Sequence, residues 1–135
     1  MGRPRLILLD THVVLWIAMS PERISKHART ALDEARRDDA GIAISDITLL
    51  EIARLSRSGR VDLNPNLEEF LAEAETRFVV LPMSGRICIR AYDLPSSYPN
   101  DPVDRVIGAT ALVEGLKLIT ADRAIRKSRA LPTIW

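Results

Sequence analysis

The sequence predicts a three-layer α/β/α sandwich around a central, mainly parallel sheet of four to five strands. Three observations predict it. Short apolar runs without polar alternation recur along the chain, helical stretches of about 10–15 residues separate them, and Pro, Gly or Asp marks most junctions. Strands apolar on both faces belong inside a sheet that helices cover on both sides. Helices between such strands require right-handed crossovers, and hence parallel pairing.

The first strand is Leu6-Ile7-Leu8-Leu9. Ser20-Pro21-Glu22 opens a helical stretch to about Arg37, which Asp38-Asp39-Ala40-Gly41 ends. Ile42-Ala43-Ile44-Ser45 is the second strand. Asp46 to Ser58 reads as a helix stopped near Gly59, and Asn66 starts another that runs to about Arg77. Phe78-Val79-Val80-Leu81 is the third strand, closed by Pro82. Ser84 to Tyr92 is helical, and Leu94 to Pro99 is a turn-rich loop. Asp101-Pro102 begins a helix ending at Glu114-Gly115, because Asp caps a first turn and Pro suits its first position. Lys117-Leu118-Ile119-Thr120 is the fourth strand, Ala121 to Ser128 a short helix, and Leu131 to Trp135 a last strand.

With 135 residues, the expectation is one domain spanning residues 1–135. Hydrophobic residues at 47% and charged residues at 27% exclude wholesale disorder. One cysteine, Cys88, allows neither an internal disulfide nor a cysteine-based zinc site, so any metal must use other ligands. A net charge of +1 leaves the question of a nucleic-acid partner to the distribution of charge. No apolar run reaches the roughly 18–20 residues that cross a bilayer. Leu6 to Leu9, broken by Asp10 and His12, is too short for a signal peptide, so a cytoplasmic protein is expected.

Sheets of this kind place their sites beyond the carboxyl ends of the strands. Asp10 follows the first strand and Asp122 comes two residues after the fourth, each at a position where Asp also serves as a helix cap. Glu51 sits in an apolar helix among Ile47, Leu49, Leu50, Ile52, Ala53 and Leu55, which places it inside the molecule or at the base of a cleft. Arg54, at i+3, is the partner that would neutralise it. Asp104 heads the small, apolar stripe of Ile107, Gly108 and Ala111; Asp101 already caps that helix. Arg105 beside it is a salt-bridge partner or a phosphate contact.

Four acids from four segments, brought to one sheet edge, repel one another unless a cation joins them. Oxygen ligands without Cys or a His pair point to Mg²⁺ or Mn²⁺. Acids with such an ion handle phosphate esters, the metal activating water and stabilising the leaving oxygen. The hydroxyls of Thr11, Ser45 and Thr120 are placed either to orient an acid or a metal-bound water, or to cap a helix. His12 would point away from Asp10 if the chain stays extended, and is read as packing or support; His27 is read as a surface residue. From Lys117 to Trp135 five basic residues, Arg123 among them, face one acid, and Arg54, Arg57 and Arg60 form a strip beside Glu51. These are candidates for backbone-phosphate contacts.

Leu8-Leu9-Asp10-Thr11-His12-Val13-Val14-Leu15-Trp16, Leu50-Glu51-Ile52-Ala53, Asn100-Asp101-Pro102-Val103-Asp104-Arg105 and Leu118-Ile119-Thr120-Ala121-Asp122 resemble the PIN-domain ribonucleases. More narrowly they resemble the VapC-type toxins of toxin–antitoxin pairs. The resemblance covers nearly the whole chain. It implies a metal-dependent endoribonuclease in which Asp10 and Asp104 bind Mg²⁺ or Mn²⁺ directly, and Glu51 and Asp122 act through water. Arg54, Arg105 and Arg123 would hold the RNA backbone. It also implies a structured RNA substrate such as transfer RNA, a cognate VapB-type antitoxin and a homodimer. The family's usual phenylalanine before the third acid is Val103 here, a departure that bears on substrate preference. The apolar residues Val13, Leu15, Trp16 and Ile17 would line a partner groove or belong to the core. Two other readings stay open: a catalytically silent PIN-like scaffold that binds RNA or protein, and a receiver-like phosphoacceptor module.

Overall fold

The computed structural model describes residues 6–38 and 41–135. Five short strands, β1 (Ile7–Leu9), β2 (Ile42–Ser45), β3 (Val79–Leu81), β4 (Lys117–Ile119) and β5 (Thr133–Ile134), form one sheet in the order β3-β2-β1-β4-β5. Every pairing is parallel, and Leu8 lies between Ala43 on one side and Leu118 on the other. The chain builds outward from β1 to β3, then crosses back to lay β4 on the opposite side of β1. The ends of β1 and β4 therefore flank a topological switch point, where open α/β sheets form their ligand crevice. A receiver-like sheet runs in the order 2-1-3-4-5, so that alternative is set aside.

Seven α-helices stand among the described residues: α1 (Thr11–Met19), α2 (Lys26–Arg37), α3 (Asp46–Arg57), α4 (Leu67–Arg77), α5 (Gly85–Tyr92), α6 (Pro102–Glu114) and α7 (Arg123–Ser128). Each begins on a polar side chain that accepts a first-turn N–H: Asp10, Ser25, Ser45, Asn66, Ser84, Asp101 and Asp122. Gly115 ends α6 at φ +67°, a left-handed position where a side chain would be strained.

Alternate residues of the strands point to opposite faces, and the core divides accordingly. Leu9, Ile42, Ile44 and Ile119 pack beneath α1, α2 and α4 together with Val13, Val14, Leu32 and Ala35. Leu8, Ala43 and Leu118 pack on the other face against Ile107 and Ala111 of α6 and Ile125 of α7. Helix α5 lies outside α6, joined to it through Ile87, Ala91, Val106 and Ala109. The expected three layers are present.

Two segments differ from the sequence expectation. Residues 11–19, for which the sequence reading names no element, form α1, since the Asp10 cap starts a helix before the apolar run begins. Val13 and Leu15 are thereby core, while Ile17 reaches a surface groove. The helix expected to run unbroken from Pro21 is a 3-10 turn over Pro21–Arg23, extended backbone at the buried Ile24, and then α2 on its own Ser25 cap. Of the Asp38–Gly41 stop, Asp39 and Ala40 lie outside the described residues.

Candidate active site

Asp10 leaves β1 and caps α1 at the switch point. It is 3% exposed. Its Oδ1 accepts from the Thr11 N–H at 2.9 Å, and its Oδ2 from the Thr120 hydroxyl at 2.7 Å. Partners on both oxygens make so deep a carboxylate tolerable. Thr120 also accepts from the Asp122 N–H at 3.1 Å, so one hydroxyl joins the first acid to the backbone of the fourth. Asp122 caps α7 through Oδ1, 3.0 Å from the Ile125 N–H. Its capping and site roles are compatible because the cap uses one oxygen.

Asp104 lies half-buried in the first turn of α6. Its carboxyl is pushed up to about 7, first by burial and then by the negative charges of Asp10, Asp101, Asp122 and Glu51. Neighbouring carboxylates raise one another in this way. Asp10 and Asp122 also act on Tyr98, whose hydroxyl is pushed up chiefly by burial and then by Asp10, Asp104 and Asp122.

Glu51 joins this field with a partner of its own. Arg54 holds both its oxygens, Nε at 3.0 Å and Nη2 at 2.8 Å, and the Glu51 side chain is 15% exposed. The helix around it is less enclosed than its composition suggests, since Leu50 is 67% exposed. Among the described residues no three Asp, Glu, His or Cys side chains stand close enough to enclose an ion by themselves. The hydrogen bonds thus join Asp10 and Asp122, and charge rather than contact brings in Asp104 and Glu51. A hard cation that keeps several waters, as Mg²⁺ does, fits such a set, because it needs one or two carboxylates and not a closed cage.

The other expected residues divide. Thr120 orients Asp10. Thr11 supports Asp10 through its backbone, while its hydroxyl turns to Thr48 at 3.2 Å. Ser45 caps α3 through the Ile47 N–H and orients no acid. Arg123 is exposed at the start of α7, and Arg54 is exposed at the rim beyond Glu51. Arg105 requires a correction. It is 7% exposed, and its guanidinium donates to the carbonyls of Ala91 (3.0 Å) and Tyr98 (3.3 Å) and to Asn100 Oδ1 (3.4 Å). One residue along a helix is a turn of about 100°, so Asp104 faces the cleft while Arg105 faces inward and braces the loop before α6.

One supporting residue escapes a reading of the sequence, and a second, His12, read as packing or support, is oriented otherwise than an extended chain would have it. Tyr98, 1% exposed within a Ser/Pro-rich segment, donates its hydroxyl to the Asp104 carbonyl at 2.8 Å. The ring crosses α6 at Gly108, where a Cβ would stand 2.7 Å from Tyr98 Cζ. His12 does not point away, because α1 is helical from Thr11. Its Nε2 accepts from the Ala121 N–H at 2.9 Å, and its Nδ1 is 3.7 Å from Asp10 Oδ2. Burial pushes the His12 imidazole down, against the opposing pull of Asp10 and Asp122, and Arg23 adds to the lowering.

The chain is similar along nearly its whole length to known proteins. The sequence profile of the PIN domain matches residues 7–130. Ribonuclease VapC22 of Mycobacterium tuberculosis (strain ATCC 25618 / H37Rv) is 33% identical over 131 residues, covering 96% of this chain and 98% of that protein. VapBC2 from Rickettsia felis, solved bound to a DNA fragment from its promoter, superposes with a TM-score of 0.70 at 16% identity over 95% of this chain and 96% of that one. A toxin–antitoxin complex from Klebsiella pneumoniae superposes with a TM-score of 0.58 at 25% identity, over 86% of each chain.

Proposed function

The chain belongs to the PIN-domain family, and on that footing we propose that it is a divalent-metal-dependent endoribonuclease, the toxin of a type II toxin–antitoxin pair acting in the cytoplasm. The observation that carries this reading is the setting of Asp104, where burial first, and then the charges of four further acids, raise its carboxyl to about 7. Such a cluster is costly on its own and favourable around a cation. The likeness to a protein named as a ribonuclease supports the reaction class.

Asp10 and Asp104 would hold Mg²⁺ or Mn²⁺ directly, and Glu51 and Asp122 through water. The bound ion supplies a water acidic enough to attack a phosphodiester and neutralises the charge that develops on the leaving oxygen. The rest is the work of the chain. Thr120 and the Thr11 N–H fix the Asp10 carboxylate and occupy one acceptor direction on each oxygen. Asp104, raised to about 7 by burial and then by the neighbouring acids, would have to be deprotonated to hold the ion. The exposed Arg54 and Arg123 hold RNA phosphates at the rim, and Arg105 has no part in that. Structured RNA, transfer RNA in particular, is the proposed substrate.

Toxin–antitoxin complexes among the structural neighbours support a protein partner. We assign the antitoxin to the groove of about 300 Å³ between α1 and α4, lined by Val14, Ile17, Phe70, Ala74 and Phe78. Exposed Leu50, Ile89 and Tyr92 support self-association as a homodimer. No helix among the described residues is long and apolar enough to cross a membrane.

The bracket of Arg54 on Glu51 favours a second reading, a scaffold that binds RNA without cutting it. One experiment separates the two. Purified protein is incubated with a transfer-RNA pool in Mg²⁺, Mn²⁺ or a chelator, beside Asp10→Asn and Asp104→Asn. The nuclease reading expects cuts at defined positions that need the ion and vanish in both variants. Binding without cutting supports the scaffold, and undiminished cutting by both variants contradicts the site.

A further inference from the structure

The strand before Asp122 is paired to Asp10 by the Asp10 N–H, which donates to the Ile119 carbonyl at 3.0 Å, and beyond the strand the segment is held at two further points. One is the Thr120 hydroxyl, which bonds to Asp10 Oδ2 and to the Asp122 N–H. The other involves Ala121, whose methyl side chain cannot orient anything. Its N–H donates to His12 Nε2 at 2.9 Å, and its carbonyl accepts from Arg126 Nη2 at 3.3 Å. The hydroxyl link runs through a side chain, whereas the link to His12 holds the backbone of the β4–α7 turn itself.

The imidazole is well placed to be that second link. Accepting at Nε2 requires the proton to sit on Nδ1, the nitrogen 3.7 Å from Asp10 Oδ2. The ring is therefore polarised between the first acid and the backbone before the fourth. It is kept in place by Trp16, whose centroid is 5.0 Å away at a tilt of 58°. Trp16 in turn packs against Trp135 at 5.7 Å and lies under the Arg23 guanidinium at 4.1 Å. The bond from His12 to Ala121 spans 109 residues of sequence.

We propose that His12 is a positioning residue for the cation site, a latch that sets the distance between Asp10 and Asp122. The inference rests on the reading that these acids hold a divalent cation.

Calorimetric titration of Mn²⁺ into the full chain without RNA tests it, comparing the natural protein with His12→Gln, His12→Phe and Asp10→Asn. Gln carries an acceptor oxygen with about the reach of Nε2. Phe keeps a ring against Trp16 and has no acceptor. His12→Phe is expected to weaken Mn²⁺ binding about tenfold or more, and His12→Gln to stay within about threefold of the natural protein, as for residues that orient metal ligands. His12→Phe binding as tightly as the natural protein, or His12→Gln binding as weakly as His12→Phe, overturns the latch. Absence of Mn²⁺ binding by the natural protein overturns the cation reading and the latch with it. A measurement that needs no variant is the nitrogen spectrum of His12 in the natural protein at neutral pH. An unprotonated Nε2 coupled to the Ala121 amide proton is expected, and a proton on Nε2 overturns the proposal.

Discussion

Thr120 donates a 2.7 Å hydrogen bond to Asp10 Oδ2 across the junction of β1 and β4. The two residues are 110 apart in sequence, so this bond forms only once the central parallel pair has its register, Leu9 opposite Ile119. Thr120→Val keeps the shape and removes the donor, leaving a buried carboxylate oxygen without its partner. A loss of about 1–3 kcal/mol is expected in urea unfolding. Thr120→Ser should recover most of it. Equal stability of the Val variant would show that Asp10 does not rely on this bond.

Asp104 sets a pH dependence of unusual sign. Its folded-state value is raised to about 7 from an ordinary 3.8, so the folded chain binds this proton more tightly than the unfolded chain. The contribution is fully present below 3.8 and is lost as pH rises through 7. Without divalent ions, Asp104→Asn should therefore be more stable than the natural protein at pH 8 and nearly equal to it at pH 4. Melting curves of both proteins across that range check this, and a constant difference would contradict the crowded cleft.

Gly108 is where Tyr98 crosses α6. Gly108→Ala places a methyl against the ring and is expected to cost about 1–3 kcal/mol, the range for overpacking, despite the better helix propensity of Ala. In a Tyr98→Leu background the same substitution should cost less, because the two sites are in contact. Additive losses in the double-mutant cycle would place the cost elsewhere.

Arg105 and Arg123 should behave in opposite ways. Arg105→Met abandons the buried carbonyls of Ala91 and Tyr98, and a loss of about 1–3 kcal/mol is expected. Arg123→Ala should leave stability within about 0.5 kcal/mol, as exposed substitutions do, and weaken RNA binding in a salt-dependent way. Unfolding curves and filter binding separate the two roles. A stable Arg105→Met variant that loses RNA would restore Arg105 to the rim.

The strands, the order of the layers and the segments carrying the acids were legible because each is a local pattern: a continuous apolar run, a capping residue, an acid at a strand end. What escaped depends on contacts distant in sequence. Tyr98 sits among Ser96, Ser97 and Pro99, a composition that reads as surface, and its burial is decided by Gly108 on the next helix. Val13 and Val14 favour strand locally, and the Asp10 cap and the packing of α1 on the sheet override that preference. Arg105 shares its peptide with Asp104 yet faces the other way, because helical geometry separates neighbours in sequence. Whether Glu51 spends its charge on Arg54 or on an ion could not be read from spacing, since an i+3 arginine is also suited to phosphate.

The convergence of the acids around a cation is tested most directly by thermal unfolding of the natural protein at pH 7.5 with Mn²⁺ added after complete removal of divalent ions. At 100 times the dissociation constant, saturation should add about 2.7 kcal/mol, and Asp10→Asn should show none of the gain. A melting temperature in the natural protein that does not respond to Mn²⁺ would contradict the account.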